Sequence, residues 1–350
     1  MGCHQLLKII SQKNDWERVL NLFKNLDVYY SYEYGKLFER VEKGELLGAY
    51  FERGNDRLFY PFILRSINIF EGLYYDIVTP YGYGGPYVEG DKNIVGEFYK
   101  EFEQYCSEKR IITETIRFHP LLKNHDYCKS VINLQYIRQT TAVDLEDSLI
   151  NIRDKYTSMN KRNIKKAIKN NIRCFVAEKT LENINIFKEL YEETMDRNKA
   201  LDYYYFDQEF FINQLENTKI SKSYLLFAEY DSEIIAGVIV LIGKNFAHYH
   251  LGASRTEFLK LRPNNLLFDF MIEFSKQKGC SLLHLGGGYQ ENDGLFQFKT
   301  SFTNGNNYDY YIGKRIYNPK VYEELNRLIE EKYEVNPNYF PKYRGIIKKK

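Results

Sequence analysis

The chain reads as an α/β protein of the mixed α+β kind, built from two tandem domains that each hold a mixed central sheet between flanking helices. Three observations lead there. The second half alternates strand and helix patterns in the order β-α-α-β-β-β-α-β-α-β. The first half carries a shorter version of that order, and 350 residues suffice for two cores of ordinary size. The domains are placed at 1–146 and 147–350.

In the first half, Leu6 to Ile10 suits a strand, and Asn14-Asp15 can cap a helix reaching Leu26. Tyr29 to Tyr34 reads as a turn into a short helix. Glu45–Phe51 and Arg57–Leu64 form a hairpin around Glu52-Arg53-Gly54-Asn55-Asp56. Leu73–Val78 is a further strand, running into Thr79-Pro80-Tyr81-Gly82-Tyr83-Gly84-Gly85-Pro86, whose glycines and prolines exclude regular structure. A helix over Ile94–Lys109 and strands Thr113–Phe118 and Gln135–Val143 follow.

In the second half, Ile172–Ala177 is a strand, with helices around Phe187–Arg197 and Gln208–Leu215. Ser223–Tyr230, Ile234–Leu241 and Asn245–Leu251 are three strands joined by tight turns. The last has bulk on both faces, as a central strand does. Pro263 opens a helix with Leu267, Phe270, Met271 and Phe274 as its apolar stripe, and Gly279 stops it. Ser281–Leu285 is a buried strand ending in Gly286-Gly287-Gly288, where backbone can turn or approach a ligand closely. Leu295, Phe298 and Phe302 mark a helix with Lys299 beside its stripe, and Tyr308–Ile312 closes the unit.

Composition narrows the function. Apolar residues at 44% and charged residues at 27% describe a globular chain, not a disordered one. A net charge of +2 excludes nucleic-acid binding by bulk electrostatics, so an anionic partner must meet a local patch. Five cysteines, with no CxxC pair, read as reduced thiols. No stretch approaches the roughly 18 apolar residues of a membrane helix, and no signal peptide is evident, so a cytoplasmic protein without integral membrane segments is expected. Lys348-Lys349-Lys350 reads as a solvated end.

Four groups of residues could carry chemistry. Lys299 could stabilise a developing oxyanion, or simply snorkel over Phe298 and Phe302. The run Arg153–Arg173, with Arg162 and Lys165 on its helix, could meet a line of phosphates or be a solvated face. Tyr81 and Tyr83, on the loop with Gly85, could stack on a substrate or pack between domains. His248 and His250 share a strand face. Without a third ligand no metal is expected, while His250 is a candidate base.

Taken together, Gly85-Pro86 after the aromatic loop, Asn160-Lys161-Arg162-Asn163-Ile164-Lys165-Lys166-Ala167, Thr194-Met195-Asp196-Arg197, His248-Tyr249-His250-Leu251, Leu285-Gly286-Gly287 and Phe298-Lys299 with Phe302 resemble the Fem family. These are tandem GNAT-like N-acyltransferases that add amino acids to peptidoglycan precursors, with acetyltransferase-like relatives in envelope-polysaccharide pathways. The resemblance implies transfer of an aminoacyl group from aminoacyl-tRNA to an amine of an envelope precursor, peptidoglycan or polysaccharide. Acyl-CoA-dependent acylation of an amino sugar or other amine is the enzymatic alternative, and a non-catalytic binder of anionic precursors or RNA the alternative of another class. It implies catalytic roles for Lys299, His250 and Tyr249, and substrate contacts for Tyr81, Tyr83, Gly85, Arg162, Lys165, Arg197, Phe298, Gly286 and Gly287. No tightly bound cofactor is implied, only aminoacyl-tRNA or acyl-CoA as co-substrate, and residues 317–350 are expected to return to the N-terminal domain. One departure stands out: Arg255 to Asn264, where coenzyme A enzymes of this fold hold pyrophosphate on a glycine-rich loop, has no glycine.

Overall fold

The computed structural model describes residues 7–68 and 73–350. Leu6 and Cys3 lie outside them. The strands are β1 (Leu7–Ile10), β2 (Glu45–Arg53), β3 (Asp56–Ile67), β4 (Tyr74–Val78), β5 (Tyr87–Glu89), β6 (Ile111–Arg117), β7 (Asn133–Asp144), β8 (Arg173–Ala177), β9 (Lys222–Tyr230), β10 (Glu233–Ile242), β11 (Phe246–Ser254), β12 (Leu282–Gly286) and β13 (Asn307–Ile316). A small pair, β14 (Tyr333–Val335) and β15 (Ile346–Lys349), follows. The helices are α1 (Lys13–Leu20), α2 (Tyr32–Glu42), α3 (Ile94–Glu108), α4 (His125–Cys128), α5 (Leu149–Asp154), α6 (Ser158–Lys169), α7 (Leu181–Asn198), α8 (Gln208–Leu215), α9 (Pro263–Gln277), α10 (Gly294–Thr300) and α11 (Pro319–Lys332).

Two compact units emerge, and neither is one continuous stretch. One holds 1–24, 34–137 and 310–350; the other holds 25–33 and 138–309. The chain passes between them after residues 24 and 33 and again inside β7 and β13, so this division differs from a single boundary after residue 146. The C-terminal residues from Tyr310 belong to the first unit.

In the first unit β1, β2, β3 and β4 pair antiparallel in sequence, β4 runs parallel to β6, and the C-terminal half of β13 pairs antiparallel with β6. Leu58, Phe62, Phe98, Phe102 and Ile116 build the core between sheet and α3. Helix α1 starts at Lys13 behind Gln12, with no side-chain cap, instead of behind Asn14-Asp15. Its buried stripe of Trp16, Val19 and Leu20 positions it by packing, which outweighs the cap.

The second unit has the order β7-β12-β11-β10-β9-β8. Antiparallel pairing holds throughout except between β11 and β12, which are parallel. Asp231 and Ser232 both adopt positive φ (48° and 65°) between β9 and β10, the backbone of a tight hairpin turn. Helix α9 lays Leu267, Phe268, Met271 and Ile272 into the core beside Val238, Val240 and Leu283. The class expected from sequence, tandem mixed sheets flanked by helices, is the one observed. No described helix is long and apolar enough to cross a membrane.

Candidate active site

Two features of the second sheet make an opening. The parallel ladder between β11 and β12 has only three pairs, Phe246–Leu282, Ala247–Leu283 and His248–His284, although β11 continues to Ser254. Beyond His248 and His284 the two strands are no longer paired. On its other edge β11 is bulged: Ile239 of β10 faces Leu251 while Val240 faces Tyr249, leaving His250 as the extra residue. His250 is thus itself the bulge residue, between Tyr249 and Leu251, so the strict alternation that would set it on one face with His248 is interrupted there.

Beside the opening, Asp293 caps α10 by accepting from the Phe296 N–H at 2.8 Å, and its other oxygen takes the Tyr289 and Gln290 N–H groups at 2.6 and 2.9 Å. Burial alone would raise its pKa, but these backbone donors outweigh it and hold the carboxylate below its usual range. This cap requires the glycine at 288, and β7 the one at 287. A Cβ on Gly288 would stand 1.9 Å from an Asp293 carboxylate oxygen, and one on Gly287 2.9 Å from the Gln139 carbonyl. The Gln139 carbonyl and the Asp293 carboxylate therefore already account for Gly287 and Gly288, while Gly286 turns with φ +75°.

The cap orients α10 so that Lys299 points inward. Its residue is only 5% exposed, its Nζ donates to the Gly287 carbonyl at 2.7 Å, and it lies 5.2 Å from the centre of the Tyr249 ring. Lys299 is thus not a snorkelling surface lysine. Burial lowers its pKa to about 7, Asp293 pulling it up again and Arg138 pushing it down. Phe298 packs edge-on against Phe268 at 5.0 Å and against Phe302 at 5.4 Å, closing the apolar side. Tyr249 packs on Phe268 at 4.9 Å.

His250 is unsuited to the base role. Burial, with His248 nearby, holds its imidazole down at about 3, so it is neutral at pH 7 and keeps a proton poorly. His248 instead meets Asp27 (Nε2 to Oδ2, 2.7 Å) and the Tyr29 ring at 4.9 Å, all deep in the unit. His284 meets the Thr140 hydroxyl at 2.9 Å.

The other expected residues lie elsewhere. Arg197 ties the end of α7 to the end of β11, donating to the Ser254 carbonyl at 2.9 Å and the Thr256 hydroxyl at 2.8 Å. Arg162 and Lys165 lie exposed on α6. In the first unit Tyr81 stacks on Phe38 at 5.3 Å, Tyr83 meets Tyr310 at 5.4 Å, and both are half-buried. Gly85, at φ +91°, faces Ile116, Phe118 and Asn124 so closely that a Cβ would come within about 3.0 Å. Asn124 holds that loop by donating to the Gly84 and Pro86 carbonyls.

Sequence reasoning missed Arg138, Asp293 and the Asp27–His248 pair. Asp293 had a legible signal, an Asn-Asp-Gly before an apolar helix stripe. Asp27 had none, being 221 positions from its partner.

The strand order, the parallel pair that parts and the capped helix beside it define a tandem GNAT fold. The acetyltransferase (GNAT) domain family matches residues 158–300, which supports an acyltransferase. FemX has the same fold at 11% identity and TM-score 0.67, over 91% of this chain and 99% of FemX. L-PGS from Bacillus licheniformis matches at 14% identity and TM-score 0.57, over 87% and 92%. The C-terminal domain of a lysylphosphatidylglycerol synthetase from Agrobacterium fabrum matches at 11% and TM-score 0.55, over 88% and 92%. No curated protein matches the sequence. The fold is that of the Fem-like tandem GNAT proteins.

Proposed function

We propose that this protein is an N-acyltransferase that moves an aminoacyl group from aminoacyl-tRNA to an amine of a cell-envelope precursor. The observation that carries the reading is Lys299, a buried amine fixed by the Gly287 carbonyl beside the opening between β11 and β12. The acceptor amine attacks the ester carbonyl, the C–N bond forms, and the carbonyl oxygen takes negative charge. An ammonium fixed in a water-poor site stabilises that charge more than water does. The ester C–O bond then breaks, and the leaving ribose oxygen takes the proton lost by the amine. His250, too weakly basic to hold it, is not required. Tyr249 positions the ammonium with its ring face, and Phe298 and Phe268 keep water out.

The donor assignment rests on the entry to α9. Arg255–Asn264 has no glycine, Arg262 itself takes φ +69°, and Pro263 at the first turn has no N–H to give a pyrophosphate. The family match over 158–300 favours an acyl-CoA donor as the second reading. Offering the protein charged tRNA or acetyl-CoA separately, with a nucleotide-linked peptide bearing a free lysine amine, tests both. Transfer from tRNA alone is expected; transfer from the thioester alone sinks the aminoacyl reading.

A further inference from the structure

The basic run Arg153–Arg173 is divided by the structure. Arg153 is held by Asp269 and Glu273, Lys155 by Asp147, Lys161 by Asp154 and Arg173 by Glu229. Arg162, Lys165, Lys166 and Lys169 make no ion pair among the described residues, and all four are exposed on α6. They fall on one face, because the opposite one buries Asn160, Ile164 and Ala167 at i, i+4 and i+7. Two large apolar side chains border the same face: Met159 is 65% exposed, one turn before Arg162, and Ile168 is 57% exposed, one turn after Lys165.

From this mixture of free cations and exposed apolar side chains, we infer that α6 is a peripheral docking face for an anionic lipid bilayer. The charge matches acidic headgroups, and each basic residue close to such a surface adds roughly fivefold to binding. Met159 and Ile168 gain by entering the headgroup–acyl boundary. A line of nucleic-acid phosphates suits the face less well. Four cations over about 10 Å of helix neutralise too short a run for firm binding, and phosphates offer nothing to Met159 or Ile168.

The face is held rigidly. Thr157 N–H and the Asn160 amide donate to the Ser301 carbonyl at 3.0 and 3.4 Å, and Asn265 donates to the Asn160 side-chain oxygen at 2.9 Å. Ser301 is two residues past Lys299, so α6 is fixed to the helix that carries the buried lysine. The inference concerns where the protein works and stands whether or not Lys299 is catalytic.

The test is co-sedimentation of the whole protein with vesicles of phosphatidylcholine alone or mixed with phosphatidylglycerol, at low and high salt. Binding to the anionic vesicles only, weakened by salt, is expected. Arg162→Glu with Lys166→Glu should cut it more than tenfold, and Met159→Asp with Ile168→Asp severalfold, at unchanged Tm. No binding to anionic vesicles, or binding indifferent to the charge reversals, overturns the inference. So does binding indifferent to the apolar substitutions and displaced by total tRNA, which would make the face a polyanion site.

Discussion

Lys299 and Glu114 are two buried ionisable residues with opposite consequences. At Lys299 the folded-state pKa, about 7, lies below the ordinary 10.5, so burying the charge destabilises the fold most below pH 7, and this cost is relieved as pH rises from about 7 to 10.5. Lys299→Met should therefore raise Tm at pH 6 while removing activity, the signature of a residue kept for chemistry. If the ammonium is the working form, kcat/KM should fall as pH rises through about 7; a rise through that pH would mean the neutral amine works instead. Glu114 is buried in the first unit with the Tyr317 and Tyr99 hydroxyls at 2.7 and 3.2 Å. Burial raises it to about 7 against an ordinary 4.5, the Tyr317 hydrogen bond opposing. A raised carboxyl binds more protons folded than unfolded, so its contribution is fully present below pH 4.5 and lost as pH climbs to about 7, by about 3 kcal/mol. Denaturant melts at pH 5 and 8 should show this slope in the wild type and a shallower one in Glu114→Gln.

Among elements, the turn and helix around Asp293 decide the candidate site. Asp293→Ala removes an N-cap acceptor for Phe296 and two further N–H acceptances, and should cost about 1–2 kcal/mol in melts. Because α10 carries Lys299, activity should fall by more than the lost stability explains. Much of this element was legible, since Gly279 as a stop and Ser281–Leu285 as a strand follow from period and turn chemistry; the expected Leu295, Phe298, Phe302 stripe was off by one position on α10, whose buried residues are Phe296 and Lys299, with Leu295 and Phe298 half-buried. The depth of Lys299 was not, because it depends on Tyr249 and the Gly287 carbonyl, which only the tertiary fold brings to it. Helix α5 was missed for a related reason. Six residues give no full apolar period, and its one buried residue, Ile152, acts with Tyr156 beyond its end. The three-residue strand β5 is equally short of pattern and exists through pairing with β3.

Across the whole molecule, chain order and compact units do not coincide, since residues 25–33 join the second unit and 310–350 the first. Periodicity reports what an element is, not which core it joins. The C-terminal return has a physical anchor inside the first unit: buried Asp76 accepts from Arg65 at 2.8 Å, Tyr343 at 3.0 Å and Arg344 at 2.8 Å. Leu325, Ile329 and Tyr343 add an apolar cluster with Ile67 and Ile112. Asp76→Asn leaves these guanidinium groups without their shared charge and should destabilise by roughly 3–5 kcal/mol in denaturant melts. The most direct test of the central claim is single-turnover transfer from charged tRNA to a free-amine envelope precursor by wild type and by Lys299→Met, the variant shown by its melt to be at least as stable as wild type. A 10²–10³-fold loss in the variant is predicted for a lost oxyanion partner; equal rates would contradict the account.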